Sequence, residues 1–223
     1  MKTLRAVTFF ILISISAYAQ TNFVELRTNM GNITIMLYDN TPRHKSMFID
    51  EIGKGTYKKA LFNRVIKDFV SQAGELDESI LADEKLHPKK RPRRLNAEID
   101  SNFIHKKGAI GAGRDDNLQK SSYFNQIYMV SGNVLTDKQL DELENKTRRK
   151  MSQKTREIYK TQGGVPHLDF NYTIFGEIVE GLDVAERINK VATHKLNVPV
   201  SAIIFDARVL SEKETKARKI SQE

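Results

Sequence analysis

The chain has 223 residues, of which 39% are hydrophobic and 29% charged, so its composition suits one globular domain with a single core. It contains no cysteine, which excludes a disulfide framework and a lipid anchor attached to cysteine. The formal net charge of +8 is compatible with binding to nucleic acid or to another anionic surface. The location of the positive charges along the chain has to show whether the protein binds such a partner.

The first 19 residues have the three-part layout of a secretory signal peptide. A basic head at residues 1–5 precedes an apolar run at 6–17, and Ala17-Tyr18-Ala19 forms a cleavage motif before Gln20. The apolar run is short for a bilayer span, although an uncleaved membrane anchor stays an alternative. We therefore expect an exported protein, periplasmic or secreted, with no stable membrane insertion after cleavage.

The residues after the cleavage motif predict a hairpin followed by a helix. Two β-rich runs, 23–28 and 32–38, flank a turn at 29–31. Thr41 is a favourable helix N-cap and Pro42 suits the first helical turn, so a helix is predicted to about residue 53. The predicted inner face of this helix consists of Met47, Phe48 and Ile52.

The stretch from Leu61 to Gly74 is the most informative part of the chain. Interpreted as a strand with alternating faces, it sends Phe62, Arg64 and Ile66 to one face. A cation beside apolar side chains costs free energy unless a polar group meets it, and the Gln72 amide can both donate and accept hydrogen bonds. One cation, one amide and a small apolar wall suit a site for a neutral peptide. A core strand with a salt-bridged arginine is the alternative.

A charged loop is predicted from Glu75 to Arg94. Its basic run, 87–94, contains Pro88 and Pro92, which argue for exposed, non-helical chain. An exported protein seldom meets nucleic acid, so we interpret the run as solvated surface and expect no nucleic-acid partner. Binding to some other anionic partner stays the alternative.

Two short strands and a charged helix are predicted next. Residues 105–114 are rich in small side chains, which is typical of a strand that another backbone approaches closely, and residues 125–130 form a buried strand. A charged helix is predicted from Thr136, with Gln139 in its capping box, to about residue 160. We interpret this helix as solvated, with contact to a partner as the alternative.

The last elements complete a sheet. A strand is predicted at 172–179, a helix at 181–191 and a closing strand at 203–210, followed by a polar tail at 211–223 that frays. The inward side chains of the helix are predicted to be Leu182, Val184 and Ile188. Many antiparallel strands with two helices indicate a mainly β fold. It would be a closed antiparallel barrel capped by the two helices, with the charged helix as an insertion.

Four motifs in the same order resemble those of the cyclophilins, the cyclosporin-binding type of peptidyl-prolyl cis-trans isomerase. The first is Phe-x-Arg-(four residues)-Phe-x-x-Gln-x-Gly, which ends at Gly74; the others are Asn125-Gln126-Ile127-Tyr128, His167-Leu168-Asp169 and Phe175-Gly176. The resemblance covers about 23–210. It implies a cyclophilin-like isomerase domain over 20–210 with insertions at about 75–94 and 133–162.

The resemblance also implies roles for individual residues. The catalytic residues would be Arg64, Phe69 and Gln72. The substrate-binding residues would be Val70, Ala112, Gly113, Gln126, Tyr128, His167, Leu168 and Tyr172. The chain departs from the family pattern at Asn63, Ala73, Ile127 and Arg114, and these positions affect the expected rate and preference.

The expected function is acceleration of X–Pro bond rotation in exported proteins. Its partners would be proline-containing peptides and unfolded exported proteins, and we expect a monomer. No cofactor is implied, and the five histidines are too scattered along the chain for a metal site. The alternative is a cyclophilin-like peptide-binding or chaperone module with little turnover.

Overall fold

The structure, a computed structural model, describes residues 22–90 and 93–220. The predicted signal peptide at residues 1–19 lies outside these ranges. Among the residues described, no helix has both the length and the apolar character needed to cross a membrane.

Eight strands close into one antiparallel barrel, which confirms the predicted fold. In order around the barrel they are β1 (Phe23–Thr28), β10 (Ile204–Val209), β3 (Ala60–Ile66), β4 (Val70–Ala73), β8 (Ile127–Val130), β6 (Ala109–Ala112), β9 (Ile174–Glu180) and β2 (Gly31–Leu37). Strand β2 then returns to β1 through the predicted hairpin. The short strands β5 (Arg94–Leu95) and β7 (Ser122–Tyr123) pair separately.

Six α-helices lie outside the barrel in the described ranges. They are α1 (Pro42–Gly53), α2 (Asp77–Leu86), α3 (Asp137–Thr147), α4 (Gln153–Thr161), α5 (Leu182–Asn189) and α6 (Glu212–Ile220). The two predicted core helices, α1 and α5, bury Met47, Phe48, Val184 and Ile188 against the barrel.

One side chain of α5 was predicted on the wrong face. Leu182 is 38% exposed, whereas Val184 and Ile188 are buried. Residue 182 lies two positions before residue 184, which is a rotation of about 200° on a helix with 3.6 residues per turn. Leu182 therefore faces away from the core.

The first turn of α1 is capped by a distant residue. Thr41 occupies the N-cap position, but its hydroxyl donates to the Tyr38 carbonyl and does not cap the helix. The Glu98 carboxylate instead accepts from the backbone N–H groups of Arg43 at 3.1 Å and His44 at 2.9 Å. This carboxylate satisfies helix donors that have no partner within the helix.

A β-bulge in β3 changes the predicted alternation of faces. Phe62 pairs with Ala73 and Arg64 pairs with Gln72, so two steps along β3 correspond to one step along β4. Phe62 and Val65 both reach the core, and Arg64 is half-buried on the opposite face. The prediction that Phe62 and Arg64 share a face is wrong, because the extra residue reverses the alternation between them.

The stretch predicted as a loop at 75–94 contains the helix α2. Asp77 and Glu78 lie in its first turn and Lys85 in its last, an arrangement that the helix dipole favours. This helix has no fully buried residue, so its sequence has little of the apolar periodicity that predicts a helix.

Acidic residues neutralise much of the basic run that follows α2. Lys90 pairs with Asp83 at 3.3 Å, and Arg93 and Arg94 pair with Glu51 and Glu84 respectively. Three cations of the run are therefore engaged within the protein. This weakens the alternative that the run binds an anionic partner.

The charged helix predicted at 136–160 is two helices. The capping box of Thr136 with Gln139 is present, but Arg148 adopts a left-handed conformation with φ 53° and ends α3. Helix α4 starts after Ser152, whose hydroxyl accepts from the Thr155 N–H. The Glu144 carboxylate joins the two helices through Lys150, Arg156 and the Met151 N–H.

The polar tail, predicted to fray, contains α6. Glu214 accepts from the backbone N–H of Ser211 at 2.9 Å, and it pairs with Arg208 of β10 at 2.8 Å. This helix is therefore attached to the barrel at its first turn.

Candidate active site

A cavity of about 370 Å³ opens where β3, β4 and β8 adjoin the loops that follow them. Nine of the residues predicted for the site lie in its wall: Arg64, Phe69, Val70, Gln72, Gly113, Gln126, Tyr128, Leu168 and Tyr172. Antiparallel pairing of β4 with β8 sets Gln72 opposite Tyr128. The barrel thus brings together side chains that lie more than 50 residues apart in the sequence.

One side of the cavity is apolar. Val70 and Tyr128 belong to a small buried cluster, and Phe69, Leu168 and Tyr172 pack against it. Tyr172 meets the ring of Tyr128 edge-on, with ring centroids 6.0 Å apart. These side chains form a recess of a size and polarity that suit a small apolar ring.

Two predicted binding residues lie outside the cavity wall. The His167 ring stacks on Phe69 with centroids 5.4 Å apart, so it packs against a residue of the wall without lining the cavity, and partial burial lowers its pKa. Ala112 is fully buried in the barrel core, and its backbone N–H donates to the Thr173 carbonyl at 3.0 Å. Ala112 is therefore a core residue, and its position does not fit the predicted contact with substrate.

The opposite side of the cavity is a chain of polar side chains. Arg64 Nη1 donates to Gln72 Oε1 at 3.3 Å. Gln72 Nε2 and Gln126 Nε2 both donate to Asp77 Oδ1, at 3.5 Å and 2.5 Å. A carboxylate only accepts hydrogen bonds, so Asp77 turns both amide nitrogens towards α2 and leaves Gln72 Oε1 free to hold Arg64.

Asp77 is a site residue that the sequence did not reveal. It lies in the stretch predicted as a loop, and no motif connects the first turn of α2 with the cavity. Its neighbours Leu76 and Glu78 also line the cavity wall. The segment at 75–94 therefore contributes directly to the site.

A second guanidinium group, that of Arg114, is fixed at the cavity edge. Its Cζ lies 4.7 Å from the centre of the Tyr172 ring, and its Nε donates to the Asn171 carbonyl at 2.7 Å. A guanidinium over an aromatic face is a favourable cation–π arrangement. Arg114 therefore stabilises the position of Tyr172.

The arrangement offers hydrogen-bond donors and a fixed positive charge beside an apolar recess. It can hold an uncharged backbone by hydrogen bonds while a ring occupies the recess. Within 22–90 and 93–220, no group of three or more histidine and acidic side chains is placed to hold a metal ion.

Comparison with known proteins relates the chain to one family. The family model described as "Cyclophilin type peptidyl-prolyl cis-trans isomerase/CLD" matches residues 23–209. The chain is 27% identical over 195 residues to peptidyl-prolyl cis-trans isomerase A of Dickeya dadantii, with 85% of each chain covered. It is 25% identical over 184 residues to a peptidyl-prolyl cis-trans isomerase of Acinetobacter baylyi, with 82% of this chain and 79% of the relative covered.

A solved structure shares the fold. It is the crystal structure of a Cryptosporidium parvum cyclophilin type peptidyl-prolyl cis-trans isomerase in the presence of the dipeptide Ala-Pro. The two chains align with a TM-score of 0.61 at 18% identity, covering 85% of this chain and 99% of the other.

Proposed function

The chain belongs to the cyclophilin-type peptidyl-prolyl cis-trans isomerase family and is a peptidyl-prolyl cis-trans isomerase, and from this premise we propose that it acts on exported proteins, with Arg64 as the residue that stabilises the twisted X–Pro bond. One observation carries the assignment of Arg64. Its guanidinium lines the same cavity as the apolar recess of Phe69, Val70 and Tyr128.

The proposed chemistry follows from the amide bond itself. Rotation about an X–Pro bond is slow because resonance imposes a barrier of about 18–20 kcal/mol. In the twisted transition state the prolyl nitrogen loses this resonance and becomes a basic acceptor. Arg64 donates to that nitrogen through a planar, permanently charged fork, so it binds the twisted state more tightly than either planar state.

The rest of the wall binds and orients the substrate in this proposal. Phe69, Val70, Tyr128 and Leu168 hold the proline ring, while Gln72 and Gln126 hold the neighbouring backbone. The Cryptosporidium structure was determined in the presence of Ala-Pro, which supports a proline dipeptide as the unit recognised. The partners are then proline-containing peptides and unfolded exported proteins, and the enzyme acts as a monomer.

An assay with a proline peptide tests the activity against the alternative. Nuclear magnetic resonance exchange measures cis–trans interconversion without a coupled protease, and fluorescence titration of the same peptide measures binding. We expect the wild-type protein to accelerate interconversion at catalytic concentrations. Binding without acceleration would instead establish a peptide-binding or chaperone module. The joint presence of Arg64, Phe69 and Gln72 in one cavity favours turnover.

Export is supported by the pattern of residues 1–19 and has its own test. Mass spectrometry of the protein recovered from an expressing bacterium should show an N-terminus at Gln20 in the exported fraction. Intact Met1 in a membrane fraction would contradict cleavage and favour the anchor.

A further inference from the structure

A buried chain of hydrogen bonds connects the inserted helices with the cavity wall. The Tyr159 hydroxyl of α4 donates to Asp169 Oδ2 at 2.6 Å, and His105 Nδ1 lies 2.8 Å from Asp169 Oδ1. His105 Nε2 lies 2.9 Å from the hydroxyl of Tyr128. Each of these four side chains belongs to a residue that is at most 5% exposed. Tyr128 is the member of the chain that lines the cavity.

We propose that Tyr159, Asp169 and His105 are positioning residues that hold Tyr128 in place and so set the shape of the proline pocket. This proposal rests on the proposed function, because it concerns the pocket in which the proline ring is placed. It also gives a role to the insertion at 133–162, which contributes Tyr159.

Asp169 determines the direction of the hydrogen bonds in the chain. Its carboxylate only accepts, and Oδ1 receives the backbone N–H of His105 at 2.8 Å as well as the Nδ1–H of the ring. The ring Nδ1–H therefore donates to Asp169, and Nε2 lies against the hydroxyl of Tyr128 at 2.9 Å. The hydroxyl is thereby turned away from the cavity, and the ring of Tyr128 forms the wall.

Two glycines make room for this chain of hydrogen bonds. A Cβ atom at Gly111 would lie 2.2 Å from Cζ and 2.3 Å from the hydroxyl oxygen of Tyr128. A Cβ atom at Gly164 would lie 2.2 Å from the His105 carbonyl oxygen and 2.8 Å from Cε1 of Tyr159. Both contacts are too short for any side chain, so glycine at these positions permits the packing of both tyrosines.

Loss of one link leaves a buried polar group without its partner. Without the Tyr159 hydroxyl, Asp169 and His105 are held less firmly, and the hydroxyl of Tyr128 loses a fixed hydrogen-bond partner. Tyr172 packs edge-on against both His105 and Tyr128, with centroids 6.3 Å and 6.0 Å away. A shift of Tyr128 therefore moves a second part of the cavity wall.

A double-mutant cycle between Tyr159→Phe and Tyr128→Phe tests the proposal. In the wild-type background, we expect Tyr159→Phe to lower kcat/KM by roughly three- to tenfold, mainly through KM. In the Tyr128→Phe background, the same substitution should change kcat/KM by less than about twofold, since no hydroxyl remains to be held. The melting temperature should fall by a similar amount in both backgrounds. Equal activity losses in the two backgrounds would overturn the positioning role.

Two further variants keep the result interpretable. Glu144→Gln removes ion pairs that join α3 to α4 but leaves the hydroxyl of Tyr159 in place. It should lower the melting temperature and leave kcat/KM within about twofold of wild type. His105→Gln in the same two backgrounds tests the middle link, and it replaces Tyr159→Phe if that variant does not fold. His105→Gln must show the same dependence on Tyr128 for the proposal to stand.

A failure of the proposed function would give a distinct result. In that case the wild-type protein would not accelerate interconversion, and the cycle would be measured by the affinity for the proline peptide. The positioning proposal predicts the same non-additive pattern in affinity. Additive effects on affinity would then refute it.

Discussion

Replacing Arg64 by alanine removes the guanidinium from the cavity and leaves the barrel core intact. Arg64 is half-buried on the face of β3 opposite Val65, so its truncation opens no space among the core side chains. The hydrogen bond to Gln72 is lost, but Gln72 Oε1 then faces the open cavity. We therefore expect a folded variant whose free energy of unfolding lies within about 1 kcal/mol of wild type.

The expected loss of activity follows from one charge-assisted hydrogen bond. Such bonds contribute about 1.5–3 kcal/mol, and about 1.36 kcal/mol corresponds to a tenfold change in rate. A bond from Arg64 to the prolyl nitrogen is then equivalent to about 10- to 150-fold in kcat/KM. Because the bond forms in the twisted state and not in the planar ones, the loss should fall mainly on kcat.

The measurement is cis–trans exchange of a proline peptide at several substrate concentrations. Lys67→Ala is the matched control, since it removes the same charge from an exposed side chain on the turn after β3, and we expect it to keep wild-type activity. Arg64→Lys keeps the charge but loses the planar fork, so its activity should lie between that of Arg64→Ala and that of the wild-type protein. A folded Arg64→Ala protein with wild-type kcat/KM would refute the proposed role.

Three further predictions concern residues around the site and in helix α3. Asp77→Ala should raise the KM for peptide several-fold with little change in the melting temperature, because both glutamine amides lose an acceptor and Gln126 keeps only the Glu75 carbonyl; an unchanged KM would contradict this. Gly111→Ala should destabilise the fold by about 1–3 kcal/mol in urea unfolding and also lower kcat/KM, because a methyl group there meets the Tyr128 ring; a fully stable variant would show that the packing is looser. Lys150, with the Met151 N–H and Arg156, lowers the pKa of Glu144 from 4.5 to about 2. The stabilisation by ionised Glu144 is therefore present above pH 4.5 and is lost as the pH falls towards 2. In that pH range the melting temperature of Glu144→Gln should fall less steeply than that of the wild-type protein.

Local sequence patterns predicted the elements whose structure depends on near neighbours. The hairpin of β1 and β2, the start of α1 at Pro42 and the capping box of Thr136 with Gln139 all follow from contacts within a few residues. Thr41 shows the limit of such rules. Its predicted capping role is taken by Glu98, a residue more than 50 positions away that a local pattern does not reveal.

The errors in the fold arise where partner strands or charges decide the structure. The bulge after Phe62 depends on how β3 pairs with β4, and the alternation of residues along β3 alone does not predict it. Helix α2 is stabilised by charged ends and carries no fully buried side chain, so an apolar pattern could not identify it. The break between α3 and α4 occurs at Arg148, a residue type that does not predict a left-handed conformation.

The site itself was predicted through family motifs more than through periodicity. The resemblance to the family named nine residues that the cavity brings together, seven of them within the four motifs. They did not name Asp77 or Tyr159, because both residues lie in stretches of the sequence that the motifs do not cover. His105 and Asp169 are 64 positions apart, and only the folded barrel places them in hydrogen-bond contact.

The two ends of the domain close the barrel, and this affects how the chain folds during synthesis. Strand β10 pairs with β1 through contacts such as Val209 with Val24, and it also pairs with β3. During synthesis, β1 and β3 therefore keep unpaired edges until the residues of β10 have emerged. Open edges readily recruit other strands, and pairings of such long sequence separation form slowly. A nascent chain that stops before Ile204 should consequently self-associate. A complete chain should fold in one late, cooperative step.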